Sequence, residues 1–230
     1  MKSPYDAKLI VFSGIDGAGK STQINQLTDF ITSNGNKVKC LWSRGGYTPG
    51  FEFAKKYFRI LMGKKLPPKG RTRARQKLMK KGWIVYVWLF IAQLDLLLFY
   101  CFYIRFLKWV GYTVICDRYH HDTLIDFKLN FPSMFKEKGI LWTLVKLCSP
   151  KPDRSFLLLI PVKESLRRSK FKNEPFPDSE DTLNRRMSFY QGSDDFTKKY
   201  KMINCLHSID FVKKQILNSI NCESPKILTN

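Results

Sequence analysis

Acidic residues are scarce in this 230-residue chain: 19 Asp and Glu stand against 40 Lys and Arg, a formal net charge of +21. The shortage points to polyanionic partners, whether nucleotides, nucleic acid or an anionic membrane, and the sign alone does not choose among them. Metal-binding and redox spacings are missing as well. The six cysteines, at 40, 101, 116, 148, 205 and 222, form no C-x-x-C pair, and the adjacent His120 and His121 have no partners at metal-ligand spacing. Both histidines read as structural, and the thiols as structural groups of a reducing compartment. The first residues, MKSPYDAK, hold no apolar stretch of signal-peptide type, so a cytoplasmic protein is the expectation. No internal repeat is visible, and a hydrophobic content of 44% with 18 Phe fits one well-filled domain.

The most informative stretch is FSGIDGAGKST, residues 12–22. Leu9 to Phe12 read as a buried strand, and Thr22, Gln23, Asn25 and Gln26 alternate with Ile24 and Leu27 as on an amphipathic helix. In that strand-loop-helix setting, Gly14, Gly19, Lys20 and Ser21 fill the pattern G-x-x-x-x-G-K-[ST]. Gly14, Gly17 and Gly19 let consecutive amides turn toward one anion at a helix N-terminus, which already favours negative charge. Lys20 can reach the β- and γ-phosphates, and the Ser21 hydroxyl is placed to ligate Mg²⁺. Binding of a nucleoside triphosphate follows.

Strands and helices then alternate as in a parallel sheet covered by helices. Further strands are expected at Val38–Trp42, Thr113–Cys116, Ser155–Ile160 and Lys201–Cys205, with helices near 181–191 and 210–220. The fold class is α/β: a three-layer sandwich on a mostly parallel five-stranded sheet, the P-loop NTPase fold. A single domain is expected over 1–220, with a basic insertion at about 52–82, a lid at about 165–180 and a loose tail at 221–230. Residues 55–81 carry twelve Lys or Arg and no acid. They read as a solvated insertion, with contact to nucleic acid or to an anionic membrane as the alternatives. The apolar segment from Trp83 to Ile104 is long enough to raise the question of a membrane span, since roughly 20 apolar residues suffice. Gln93 and Asp95 near its middle, and the need for the next strand to rejoin the sheet, favour a buried core helix, with peripheral membrane contact as the alternative.

The strand TVIC runs into Asp117, Arg118 and Tyr119, at the edge where an open parallel sheet keeps its ligands. Asp117 is placed as a second Mg²⁺-associated group beside Ser21, and Arg118 to meet an incoming phosphate. With SGIDGAGKST, the arginine loop SRGG, Leu89–Phe90, DRY, PDRSFLLLIPVKESLRR and LNRRMSFY in this order, the chain resembles the thymidylate kinase family of P-loop nucleoside monophosphate kinases. The resemblance implies that Gly14, Gly17, Ala18, Gly19, Lys20, Ser21 and Thr22 hold the ATP phosphates with Mg²⁺. It also implies that Asp16 faces the acceptor sugar, that Arg44 and Arg118 grip the acceptor phosphate, and that Phe90 stacks on the acceptor base. A homodimer packed through helices beside the DRY strand is implied too. The family takes a catalytic arginine from the P-loop or from a lid. This P-loop has none, so the lid SLRRSKFKNEPFPDS must supply it; of Arg167 and Arg168, about 100° apart on a helix, only one can point inward, and Arg168 is preferred. Lys20, Arg118 and Arg168 are thus the candidate catalytic residues.

Departures from the family bear on the acceptor. Where the family has an arginine that reads thymine, this chain has Leu94, and the stretch after DRY is HHDTLIDF, which adds Asp122 and Asp126; Asp95 stands beside Leu94. A pocket with Asp95 and Asp122 suits an acceptor with extra hydroxyl or amino groups, so transfer to a nucleoside monophosphate of altered identity is the first expectation. A kinase acting on a hydroxyl, with Asp16 or Asp122 as base, is the second. A regulatory NTP-binding protein at nucleic acid or a membrane is the third. Against a GTPase switch, the nearest match to N-K-x-D is NKVK at 36–39. Against a motor ATPase, Asp117 is followed by Arg118 and not by a second acid.

Overall fold

The computed structural model describes residues 7–42, 82–172 and 178–221. Arg44, the basic stretch 55–81, lid residues 173–177 and the end of the tail lie outside the described residues.

The chain forms two compact units. The first comprises, among the described residues, 7–42, 107–119 and 151 onward, and is built on a sheet of β1 (Leu9–Ser13), β2 (Val38–Trp42), β3 (Thr113–Asp117), β4 (Arg154–Leu159) and β5 (Lys201–Asn204). Strand order is β2-β3-β1-β4-β5, and every pairing is parallel, which sharpens the expected mostly parallel sheet. The burial explains the sequence. β1 lies between β3 and β4 with all five residues buried, and so reads LIVFS without polar alternation, as a strand covered on both faces must. The edge strands β2 and β5 expose most of their residues and tolerate Lys39, Lys201 and Asn204. The chain leaves β1 toward one edge, to β2, and leaves β3 and β4 toward the other, so β1 marks a topological switch point, and such points carry ligands outside the carboxyl ends of the strands.

The helix α1 (Lys20–Ser33) begins where the P-loop ends and buries Gln23, Ile24, Leu27 and Ile31, at the three- and four-residue spacing of one helical face. The second unit comprises, among the described residues, 82–106 and 120–150. Its long helix α2 (Gly82–Leu98) passes through a π turn at Phe99–Tyr103 into α3 (Ile104–Trp109); α4 (His120–Asn130) and α5 (Ile140–Cys148) complete it. Its core is aromatic. Trp88 meets Phe127 and Phe131 with ring centroids 6.0 and 5.2 Å apart, and Phe127 in turn meets Phe135 and the fully buried Trp142 at 5.1 and 5.7 Å. The expectation of a buried core helix holds for one face of α2 only: Val85, Leu89, Ala92 and Leu96 are buried, while Trp83, Tyr86, Phe90 and Leu98 are exposed. The remaining helices belong to the first unit: α6 (Val162–Phe171), α7 (Glu180–Gly192), α8 (Asp194–Lys199) and α9 (Ile209–Asn221). Of these, α7 and α9 follow the sequence reading closely.

Candidate active site

The loop after β1 is held open by glycine geometry. Gly14, Gly17 and Gly19 adopt φ of 143°, 76° and 90°, values that side chains rarely take. At Gly14 the backbone also approaches β4 so closely that a Cβ would lie 2.5 Å from the Leu158 carbonyl oxygen. Gly19 opens α1 in a left-handed conformation, which turns the first helical amides outward. Lys20 is buried, its Nζ donating to the Gly14 and Ile15 carbonyls at 3.0 Å each, so the ammonium sits over the loop itself. Ser21 and Thr22 occupy the exposed first turn of α1.

Helix α6 clasps this loop from outside. Ser165 donates from Oγ to the Asp16 carbonyl at 2.6 Å, and Arg168 donates from Nη1 to the Gly17 carbonyl at 3.1 Å. The other two donors used by Arg168 go to Glu164 (Nε to Oε1, 2.7 Å) and to the Cys205 carbonyl (Nη2, 3.3 Å). Glu164 accepts from Arg167 and Arg168, and those hydrogen bonds, Arg167's first, hold its carboxyl down at about 2. Of the two lid arginines it is Arg168 that turns to the P-loop, as the helical geometry of adjacent positions allows for only one; Arg167 lies outside, its guanidinium 5.6 Å from the Phe171 ring. Burial pushes the thiols of Cys101 and Cys205 up to about 11, which leaves them protonated at neutral pH and fits structural roles.

At the end of β3, Arg118 has φ 75°, in the left-handed region that a non-glycine residue occupies only under constraint. Its amide bonds the Phe12 carbonyl at 2.8 Å, tying the turn to β1, and its buried guanidinium bonds Asp16 Oδ1 at 2.7 Å. The structure therefore joins the two most specific parts of the sequence, the P-loop acid and the DRY triplet, in one ion pair. Asp117 stands in register with Phe12 and Trp42 at the carboxyl end of the sheet. Ser21 and Asp117 supply hard oxygen donors, and the described residues contain no group of three His, Cys, Asp or Glu able to cage a metal alone. That set fits Mg²⁺, which takes one or two protein oxygens and completes its shell with phosphates and water.

The other candidates lie on the second unit. Phe90 and Leu94 are exposed on α2 and Asp95 beside them is half-buried. Asp122, in the first turn of α4, is fully buried, and Asp126 one turn on nearly so. His120 and His121 are buried with ring centroids 4.0 Å apart, and the His120 ring stands edge-on to Tyr100 at 6.1 Å. The structure thus gathers Asp16, Lys20, Arg118 and Arg168 in the first unit and carries Phe90, Asp95 and Asp122 on the second. Sequence reasoning gave no role to Glu164 and Ser165, although both lie in the quoted stretch PDRSFLLLIPVKESLRR; only the position of Glu164 three and four residues before two arginines hinted at the clasp.

No protein-family model matches the chain. It is similar to the thymidylate kinase of Caldicellulosiruptor saccharolyticus, with 27% identity over 201 residues and 84% of each chain covered. The probable thymidylate kinase of Pyrococcus abyssi is 26% identical, over 93% of this chain and 96% of that one. The thymidylate kinase of Prochlorococcus marinus strain NATL1A is 29% identical, over 97% and 98%. Among solved structures, the thymidylate kinase of Candida albicans has a TM-score of 0.60 at 21% identity, covering 93% of this chain and 91% of its own, a likeness of fold. Taken with the P-loop, the DRY turn and the all-parallel sheet, these similarities make the chain thymidylate kinase-like, a phosphotransferase similar to the nucleoside monophosphate kinases.

Proposed function

We propose that the protein transfers the γ-phosphate of ATP to a nucleoside monophosphate other than thymidylate, or to a closely similar phosphorylated acceptor. The observation that carries the reading is the Asp16–Arg118 pair: a buried arginine at the end of β3, held in a strained backbone conformation, joined at 2.7 Å to an acid inside a complete P-loop. An arginine positioned in this way, by its backbone and by an ion pair, presents a planar fork of donors that suits a phosphate. In this reading the loop amides and Lys20 hold the ATP phosphates, and Arg118 with Arg44 receives the acceptor phosphate. Ser21 and Asp117 would hold Mg²⁺, which neutralises charge on the phosphate oxygens when bound. Phosphoryl transfer asks mainly for alignment and charge neutralisation, which these groups supply without a base. Arg168 braces the loop: with Ser165 it fixes the carbonyls of residues 16 and 17 and so the direction of the amides that follow.

The altered acceptor rests on side chains. Leu94 offers no hydrogen bond where the family reads thymine, and Asp122 and Asp126 add buried carboxylates on α4. The buried carboxylates also favour a second reading, transfer to a hydroxyl with Asp122 as base. A screen of nucleoside monophosphates, phosphorylated sugars and unphosphorylated nucleosides with ATP and Mg²⁺ separates the two. The proposal expects turnover only with phosphorylated acceptors, and a kcat/KM for thymidylate below that of another monophosphate. Selective, efficient phosphorylation of thymidylate would return the chain to the activity named for its relatives.

A further inference from the structure

We propose that Cys101 and Cys148 form a reversible disulfide, a redox modification site that ties the π turn of the second unit to the end of α5. Both residues belong to that unit, and their thiols are hydrogen-bonded to one another. The contact follows from local geometry. Along Phe99–Tyr103 the helix widens, and three consecutive residues, Phe99, Tyr100 and Cys101, are buried together. A regular α-helix turns about 100° per residue and would spread three such residues over more than half its circumference; the wider turn holds them closer to one side. Helix α5 packs against this turn, with Trp142 and Val145 buried and Cys148 following at the same three-residue step. Arg105, one turn beyond Cys101, donates from Nη2 to the Cys148 carbonyl at 3.0 Å and so fixes the end of α5 beside the two sulfurs. The other described cysteines stand differently: Cys40 is exposed and meets the Thr28 hydroxyl, Cys116 is fully buried in β3, and Cys205 donates to the Ile203 carbonyl.

Burial divides the reaction between the two thiols. Cys148 is half-buried and Cys101 buried, so hydrogen peroxide, the oxidant, meets Cys148 first. The Cys148 sulfur attacks one peroxide oxygen, the O–O bond breaks, and the departing hydroxide takes the Cys148 proton as water, leaving a sulfenic acid. The Cys101 sulfur then attacks the sulfenic sulfur. The S–O bond breaks, and the departing hydroxide takes the Cys101 proton as a second water. Two thiols are oxidised to one disulfide while one peroxide is reduced to two waters. Acidity suits this order. In the resting protein Cys101 is held up at about 11, first by burial and then by the charge and the hydrogen bond of Cys148. Oxidation of Cys148 removes the last two of these causes, while the Arg105 charge, which acts the other way, stays in place. Thiol reductants reverse the bond by exchange.

The test treats the full chain with hydrogen peroxide under native conditions, blocks the remaining thiols with iodoacetamide in denaturant, and maps the unreduced peptides by mass spectrometry. A linked pair of peptides holding Cys101 and Cys148 is expected, two hydrogen masses lighter than the sum of the thiol forms, and dithiothreitol should abolish it. In Cys148→Ser, Cys101 is expected to be alkylated as fully as in untreated protein, and Cys40→Ser should leave the link at its wild-type yield. The link is read first in the wild-type chain, so a serine variant that fails to fold leaves the test standing. A Cys101 that stays fully alkylable after treatment that oxidises Cys40 overturns the proposal. So does peroxide that joins Cys148 to the Cys148 of another chain, or Cys40 to Cys116, in preference to this pair, or that drives Cys148 on to sulfinic acid with Cys101 untouched.

Discussion

The two units carry their candidate groups in opposite ways. In the first, the anion-handling parts are largely backbone: three glycines at positive φ, the first amides of α1, and carbonyls at residues 14 to 17 bonded by Lys20, Ser165 and Arg168. In the second, the acceptor candidates are side chains on two helices, Phe90, Leu94 and Asp95 on α2 and Asp122 on α4. A phosphate cradle made of backbone constrains which residues can stand there, because only glycine fits. A pocket made of side chains can change its ligand by substitution while the helices stay as they are.

The sharpest way to test this contrast is to remove the side chain of Lys20, the charged group of the backbone cradle. Lys20→Ala is expected to lower kcat by about 10² to 10³, the usual effect of deleting one preorganised donor, with the thermal melt little changed. Wild-type turnover would break the assignment of the P-loop as the phosphate site. Gly14→Ala attacks the backbone itself. The new Cβ would meet the Leu158 carbonyl oxygen at 2.5 Å on a residue at φ 143°, and that neighbour is main chain and cannot swing away. A loss of about 3 kcal/mol in unfolding free energy, or an equivalent loss of ATP affinity, is expected from strain of this kind. Gly35→Ala is the control: its φ of 77° is also left-handed, but its Cβ would meet nothing within 4 Å, so about 1 kcal/mol is expected. Equal effects at the two positions would show that close approach to β4 does not matter.

Legibility follows the same division. The P-loop, the central strands and the DRY turn could be read from sequence because strand, glycine spacing and charge each point to one geometry. β1 and β3 came out within a residue, and β4 one residue early, since Arg154 reads as a loop residue although its backbone pairs with Ile10. The Asp16–Arg118 bond was not legible: both residues were assigned to the acceptor separately, and pairing across 102 positions leaves no local pattern. Neither was the two-sided character of α2. Its residues are apolar all round, so periodicity could not tell a buried face from an exposed one. Helix α4 escaped notice because its buried residues include His120, His121, Asp122, Thr123 and Asp126, and so follow no apolar period.

The clasp on the P-loop gives the next test. Arg168→Ala is expected to weaken ATP binding about tenfold with a smaller change in kcat, because the side chain is bonded to loop carbonyls. Arg168→Lys should recover part of the affinity. A variant with normal ATP affinity and a large loss of kcat would make Arg168 a group that meets the transferred phosphate, and the loop would then owe its shape to glycine and Ser165. The pH profile supplies an independent check. Glu164 is depressed to about 2 in the folded protein, against about 4.3 for a free glutamate. Its contribution is present above the unfolded value and is lost only as pH falls through about 2. ATP affinity should therefore show no step assignable to Glu164 between pH 5 and 8, and in the Arg167→Ala, Arg168→Ala double variant its carboxyl, followed by NMR, should rise toward 4.3.

The smallest effect is expected on the acceptor side, from Leu94→Arg. If only the thymine contact were missing, an arginine there would add a charged hydrogen bond and raise kcat/KM for thymidylate by roughly tenfold or more, from the 1.5–3 kcal/mol such bonds contribute. Two features oppose that gain. Leu94 is 39% exposed, so the new guanidinium would keep much of its contact with water, and exposed charged contacts contribute only about 0.2–1 kcal/mol. Holding a long side chain in one rotamer also costs up to about 2 kcal/mol of entropy. The buried Asp122 and Asp126 are untouched by the substitution, and carboxylates cannot donate the hydrogen bonds that thymine carbonyls accept. A change of less than about threefold is therefore expected. A gain of tenfold or more would show that the acceptor side differs from thymidylate kinases by a single side chain, and that the added carboxylates leave base selection as it was.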